Sequence, residues 1–329
     1  MAALSIITPV WNGLPFLKAC VESVRAQQFE DWELLISDDG STDGSRAWLA
    51  NLANLGDRRI RIFEQSRNLG IFGNLNFLFD RATAPVSQIL CQDDYFANSR
   101  SLDKLVTLWH DAPARVGFIR ENWKHDDSTN KIERWGRKHL PELIESRDSD
   151  LIFFVFGCIA GNLSNISLRT SLVKNIGGFD QSFPFAGDYH FWSRLGRSSA
   201  FLLEPSDLTR VRRHPGQATF HLNRHGELVA QQYAIVQDLF DRSKEGRSET
   251  LLRLHATIQH DAPQRWVAVR RLLAGDAKYL SIVDAQGSAH GAFLATPLRW
   301  LLFLLSGGGR VGFSLTALRL LRSGLSRAG

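Results

Sequence analysis

Long hydrophobic runs are missing from this 329-residue chain. No stretch of about 18 apolar residues occurs, which excludes a simple transmembrane helix. The amino end, Met1-Ala2-Ala3, carries no basic residue, and Leu4–Val10 is too short for a signal-peptide core, so no signal peptide is expected. Cysteine is scarce. Cys20, Cys91 and Cys158 are odd in number and far apart, which excludes a disulfide framework and a cysteine-based zinc site. They read as reduced thiols of a cytosolic protein. Asp, Glu and Lys are all absent from Ala285 to Gly329, where five arginines stand: Arg299, Arg310, Arg319, Arg322 and Arg327. The formal net charge is +5, so this segment carries all of it and residues 1–284 balance. A body without net charge argues against a nucleic-acid binder, which needs a basic face. Hydrophobic residues make up 44% and charged ones 22%, enough to bury a core in one large domain, alone or with an appendage.

Strand and helix signals alternate through the first half. Ser5–Thr8 reads as a buried strand stopped by Pro9. Leu14, Leu17, Val21 and Val24 then recur as the apolar stripe of a helix. Leu34–Ile36 is a second strand, followed by a polar turn whose Asp43 is placed to cap the helix of Trp48, Leu52 and Leu55. Arg59–Phe63 alternates like a half-buried strand, Phe72–Phe79 is helical, and Val86–Leu90 is a fourth strand. Such alternation predicts an α/β fold with a mostly parallel sheet. Further on, Val116–Ile119 and Ser164–Leu168 read as strands. Glu121–Asp148 reads as a polar surface excursion, and Leu151–Ile159 must be buried. Ser171–Ile176 reads as a short helix stopped by Gly177-Gly178, and Gly187–Leu195 as another. After about His225 only helices are expected, which sets a boundary between residues 1–225 and a helical region, 226–329.

The strand ends carry the chemistry. In open α/β sheets, ligands bind beyond the carboxyl ends of the strands. Those ends hold Thr8–Asn12, Ser37–Asp39 and Asp93-Asp94. Two adjacent carboxylates at a surface-facing strand end need a cation or many donors to offset them, and Mg²⁺ or Mn²⁺ takes oxygen ligands. Asp38 and Asp39 can accept from a nucleobase N–H or a ribose hydroxyl, although Asp, Gly and Ser also form plain turns.

The ordered set Ser5-Ile6-Ile7-Thr8-Pro9-Val10-Trp11-Asn12, Ser37-Asp38-Asp39-Gly40-Ser41-Thr42-Asp43, Asn68-Leu69-Gly70 and Cys91-Gln92-Asp93-Asp94 resembles the family 2 glycosyltransferases of GT-A fold. Gly177-Gly178-Phe179-Asp180, Gly187-Asp188-Tyr189-His190-Phe191-Trp192 and Arg212-Arg213-His214-Pro215-Gly216-Gln217 extend the resemblance over roughly residues 4–220. It implies a GT-A glycosyltransferase domain over 1–225. It implies a metal-dependent enzyme of the hexosyltransferase class, inverting, acting in bacterial polysaccharide or glycolipid synthesis. By the same resemblance, Thr8, Pro9, Val10, Asn12, Asp38 and Asp39 match the nucleotide-base pocket. Asn68 and Gly70 fall in the loop that closes over the nucleoside. Asp93 matches the residue near the ribose, Asp94 the ligand of Mn²⁺ or Mg²⁺, and Asp188 the general base. His214 matches a position that approaches the metal or the diphosphate, and Arg212 offers a forked donor to phosphate oxygens. Cys91 stands where many members have Asp, and Gly187 where the usual residue is Glu. The implied partners are a nucleotide-sugar, a UDP-sugar favoured, and a glycan or lipid-linked acceptor, with no nucleic acid. The alternative is a catalytically silent nucleotide-sugar or glycan-binding module.

Two further patterns are weighed. Gly307-Gly308-Gly309-Arg310-Val311-Gly312 matches a dinucleotide-binding glycine pattern, but no acidic residue follows to hold a ribose, so a turn between helices is expected. The arginine-rich segment 285–329 carries Val311, Leu315, Leu318 and Leu321 as an apolar stripe. It is expected to rest peripherally on the inner face of a membrane, in a cytoplasmic protein, or else to pack on the catalytic domain or pair two subunits.

Overall fold

The computed structural model describes residues 2–123, 131–214 and 226–324. The chain divides into two compact units. One takes in the described residues of 1–129, Leu140–Glu145 and Ala160–Arg213. The other takes in those of 130–139, Ser146–Ile159 and 214–329.

The first unit is built on a mixed sheet. Its strands are β1 (Leu4–Val10), β2 (Trp32–Asp38), β3 (Ile60–Glu64), β4 (Val86–Ile89), β6 (Val116–Arg120), β7 (Leu143–Ile144), β8 (Ile166–Arg169) and β9 (Ala200–Leu203), in the order β3-β2-β1-β4-β8-β6-β9-β7. The pairs β3–β2, β2–β1 and β1–β4 are parallel, as the alternating pattern requires. β8 runs antiparallel between β4 and β6. β1 and β2 are buried along their whole length, which is why they read as continuous apolar runs rather than alternating ones. The helix Leu14–Arg25 buries Leu17, Cys20, Val21 and Val24 against this sheet, the stripe its sequence predicts. A small second sheet joins β5 (Tyr95–Phe96) to β10 (Thr209–Arg210), antiparallel. It ties the chain near residue 212 to the turn after β4, the pairing on which the site depends.

One expectation fails here. Among the described residues, the span 121–148 is not a surface excursion at its start or at Leu143-Ile144. Glu121, Asn122 and Trp123 are buried, and Leu143-Ile144 adds the edge strand β7 beside β9. Asn122 takes a left-handed φ of 59° and spends its side chain on Thr209, Asn165 and Leu208. Glu121 accepts from Ser167 Oγ at 2.6 Å, and burial pushes its carboxyl up to about 8. A buried carboxyl kept neutral is affordable where an isolated buried charge is not.

The second unit is helical: Lys131–His139, Ser146–Phe156, Glu227–Ser243, Glu249–Ala256, Ala262–Leu273, Lys278–Ala289, Thr296–Leu305 and Phe313–Gly324. At its centre lies a buried ionic cluster. Asp261 accepts from Tyr233 Oη at 2.8 Å, Arg265 Nε at 2.6 Å and Arg299 at 3.1 Å. Asp284 meets both arginines, at 2.8 and 3.6 Å. Arg299 is fully buried, so it does not belong to the exposed basic segment in which the sequence counts it. Removing one partner of a buried pair leaves an uncompensated charge. Asp261→Ala is therefore expected to lower unfolding free energy by about 3–5 kcal/mol, read from urea melts. A loss within experimental error contradicts a structural role for the cluster.

Candidate active site

The carboxyl ends of β1 and β2 meet in one polar turn. Thr8, Asp38 and Asp39 are buried there. Asn12 takes a left-handed φ of 49° and stitches the two ends together. Its backbone N–H donates to Ser41 Oγ and its Oδ1 accepts from Thr42 N, both at 2.8 Å. Asp43 accepts from Leu14 N at 2.9 Å and from Ser45 N at 3.0 Å, so it holds the starts of two helices rather than one. One oxygen of Asp38 accepts from Ser41 N at 3.1 Å; the other, Oδ1, is buried with no hydrogen-bond donor among the described residues. A buried carboxylate oxygen left unmet is costly, and a ligand N–H or hydroxyl is the natural donor. Asp39 accepts from Leu69 N at 2.7 Å, and Asn68 Nδ2 donates to Asp39 O at 3.1 Å. These bonds seat the Asn68-Leu69-Gly70 loop on the end of β2. Burial, with Asp38 adjoining, raises the Asp39 carboxyl above its ordinary value.

Past β4 comes the acidic turn. Among the described residues, one group brings three metal-ligating side chains together: Cys91, Asp93 and Asp94, with ligand atoms within 4.8 Å of one another. Asp94 is 1% exposed, not surface-facing as its strand-end position suggests. Its Oδ1 accepts from Arg212 N at 3.0 Å, an approach set by β10 pairing with β5. Burial and the neighbouring Asp93 charge push the Asp94 carboxyl up to about 7. That is the signature of a carboxylate pair short of positive charge. The oxygens suit a hard divalent ion. The Cys91 thiol suits such an ion poorly, since soft sulfur ligands favour other metals; without a metal, burial and both carboxylates hold its pKa well above the ordinary value. The donor set that fits is therefore Asp94 with Asp93. The Arg212 guanidinium lies 4.6 Å from the Tyr95 ring centre, beside the same turn. His214 follows two residues later, in the second unit.

Asp188 sits in the first turn of the helix Gly187–Ser198. Burial pushes its carboxyl up to about 6, against the Tyr189 N–H that donates to Oδ1 at 2.7 Å. The helix start is placed by an aromatic column. Phe72 stacks on Phe179 at 5.3 Å, and Phe179 on Phe191 at 3.9 Å. Gly178, φ 69°, has no room for a side chain against Asn76, whose amide clamps Phe179 N and O at 2.8 Å each. Gly187 has a comparable reason: a Cβ there would lie 2.5 Å from the Phe72 ring. Gly187→Ala is expected to cost about 1–3 kcal/mol through overpacking, seen as a lowered melting temperature that Phe72→Leu partly restores. An unchanged melting temperature rules the contact out as a constraint.

A continuous path now links the pieces. Asp39 holds Leu69, the helix Gly70–Arg81 starts there, and its Phe72 packs on Gly187 beside Asp188. The first unit thus brings together Thr8, Pro9, Val10, Asn12, Asp38, Asp39, Asn68, Gly70 and, by this path, Asp188. Asp93, Asp94 and Arg212 form the neighbouring cluster. Three residues that the structure places here receive no role from the sequence. Trp11 is 56% exposed at the end of β1, and its backbone is bound both ways by Gln92, at 2.8 and 2.9 Å. Ser164 is buried, accepts from Cys91 N at 2.9 Å and hydrogen-bonds the Asp94 carboxylate. Trp11 and Gln92 stand inside the quoted motifs, and that position alone could have flagged them; Ser164 carries no local signal.

Solved structures place this architecture in the GT-A class. TarS 1–349 of S. aureus, in complex with UDP-GlcNAc, matches with a TM-score of 0.63 at 14% identity, over 99% of this chain and 93% of that one. The mannosyltransferase PcManGT of Pyrobaculum calidifontis, in complex with GDP-Man and Mn²⁺, matches with 0.52 at 16% identity, over 98% and 85%. Residues 5–167 match the model of glycosyl transferase family 2, and the chain belongs to that family. A Campylobacter jejuni GalNAc(5)-diNAcBac-PP-undecaprenol beta-1,3-glucosyltransferase is 25% identical over 203 residues, 62% of each protein. The chain spans less than two thirds of that relative's length and 36% of two longer Rickettsia relatives.

Proposed function

We propose that this chain is a glycosyltransferase that moves a sugar from a nucleoside diphosphate donor, a UDP-sugar favoured, to a hydroxyl of a glycan or lipid-linked acceptor, with inversion. The observation that carries the reading is the run of buried carboxylates beyond the ends of parallel strands, Asp38 with an unmet oxygen and Asp39 and Asp94 raised above their ordinary values.

In this reading Asp38 and Asp39 accept from the base and ribose, and the exposed face of Trp11 gives the base a stacking surface. Thr8, Pro9, Val10 and Asn12 line the same turn, and Asn68 and Gly70 close over the nucleoside. Asp93 faces the ribose. Asp94, with Asp93 beside it, would hold a divalent ion, Mn²⁺ or Mg²⁺, which when bound would supply positive charge to the diphosphate; His214, the second ligand that the resemblance implies, belongs to the second unit. Arg212 reaches phosphate oxygens as a forked donor. Asp188 takes the acceptor proton as the hydroxyl attacks the anomeric carbon. A single base facing the acceptor, with the leaving group opposite, inverts the stereocentre. Gly187 and the Phe72 ring leave this acceptor side apolar where other members carry Glu.

A thermal-shift panel of UDP-, GDP- and dTDP-sugars, with and without Mn²⁺, tests donor binding. At least one donor is expected to raise the melting temperature more with metal than without. No shift with any donor contradicts the reading. Nuclear magnetic resonance of the product's anomeric proton checks inversion.

A further inference from the structure

The last two helices of the second unit leave an apolar face uncovered. Leu298, Leu301 and Leu305 recur at helical spacing on Thr296–Leu305 and are 48%, 50% and 70% exposed, with Leu304 at 70%. Beyond the glycine turn at 307–309, Val311 and Leu315 are 64% and 69% exposed. Leu302, Leu305, Val311 and Leu315 line one shallow cavity of about 260 Å³ with Arg319, so the two helices share this surface. The stripe expected on Phe313–Gly324 is only half right: Leu321 turns inward with Phe313, Ala317 and Leu320, whereas Val311 and Leu315 face out.

The exposed charges on these two helices and their connecting turn have one sign. Arg319 and Arg322 follow Leu315 by one and two turns, and Arg310 is exposed in the connecting turn. No acidic residue occurs from 285 to 329. A contiguous apolar patch of this kind marks an interaction surface. Two-fold pairing of the patch with a second copy would oppose arginine to arginine across a self-complementary interface. Protruding leucines flanked by arginines instead complement a surface that is anionic outside and hydrocarbon beneath. No described helix is long and apolar enough to cross a membrane.

We infer that this face docks on an anionic lipid bilayer, with the leucines in the headgroup boundary and Arg310, Arg319 and Arg322 against headgroup phosphates. The contact is reversible and salt-dependent. It is independent of the catalytic reading, since none of these residues belongs to the candidate active site.

Vesicle flotation of the full chain tests it, using phosphatidylcholine vesicles with and without phosphatidylglycerol. Binding is expected only with phosphatidylglycerol at low salt, and to fall at least about tenfold at high salt. The pair Arg319→Glu and Arg322→Glu is expected to weaken it by about tenfold or more, while Arg319→Lys with Arg322→Lys retains it. Leu304→Ser with Leu305→Ser is expected to weaken binding at all salt concentrations. Wild-type protein that ignores phosphatidylglycerol at low salt overturns the inference. So does binding indifferent to arginine reversal, or a self-associated species that the reversal dissociates while vesicle binding persists. If the Glu variants fail to fold, the salt and lipid dependence of the wild type still decides.

Discussion

Asp188→Asn is expected to cut the rate of sugar transfer by about 10²–10⁴-fold, the usual worth of a general base, with donor affinity changed little. Asn keeps the side-chain oxygen that accepts from Tyr189 N but cannot take a proton. The pH profile separates this from a structural role. Burial sets the Asp188 carboxyl at about 6, and a base works only when deprotonated. The wild-type rate should therefore climb as pH rises through about 6, level off above, and be lost as pH falls below it. The variant should lack that limb. An unchanged rate, or an equal loss of donor binding, would assign Asp188 a structural task.

The second large effect concerns Asp94. Because it is buried and bound to Arg212 N, Asp94→Ala would leave that N–H unpaired as well as removing the charge. Asp94→Asn keeps the acceptor and removes only the charge. It should lower metal-dependent transfer by about 10²–10³-fold, the scale of several kcal/mol of charge stabilisation. The same variant should be no less stable than the wild type. The native carboxyl is raised to about 7, so the folded state holds its proton more tightly than the unfolded chain does. Metal-free protein should accordingly lose stability as pH rises from the ordinary Asp range to about 7 and level off above. Added Mn²⁺ should restore more stability at neutral pH than in acid, and none in Asp94→Asn. Near-normal turnover in the variant, or an equal Mn²⁺ effect on both proteins, removes Asp94 from the metal site.

The parallel half of the sheet is legible because its chemistry is local. Leu34–Ile36 is apolar on both faces and ends in Asp38-Asp39, so strand and site lie side by side in the sequence. The turn residues Asn12 and Gly178 likewise announce themselves, as types that tolerate left-handed backbone. What escapes depends on partners far along the chain. Glu121 looks like a surface residue until Ser167 is seen beside it. Arg299 looks like part of a basic tail until Asp261 holds it in the core. Arg212 reaches Asp94 across 118 positions through a two-residue strand pair too short to leave a pattern. The Phe72 ring explains Gly187, yet nothing in either local sequence connects them. Pro215, Gly216, Gln217 and Arg327, quoted in the sequence, lie outside the described residues.

Release of nucleoside diphosphate from a panel of UDP-, GDP- and dTDP-sugars, with acceptor sugars present and Mn²⁺ supplied or chelated, tests the central claim most directly. At least one donor should be consumed by the wild-type chain only when metal is present, and the reaction should collapse in both Asp94→Asn and Asp188→Asn. A folded chain that binds a nucleotide-sugar but never releases the diphosphate, or that turns it over unchanged by either substitution, would contradict glycosyl transfer at this site.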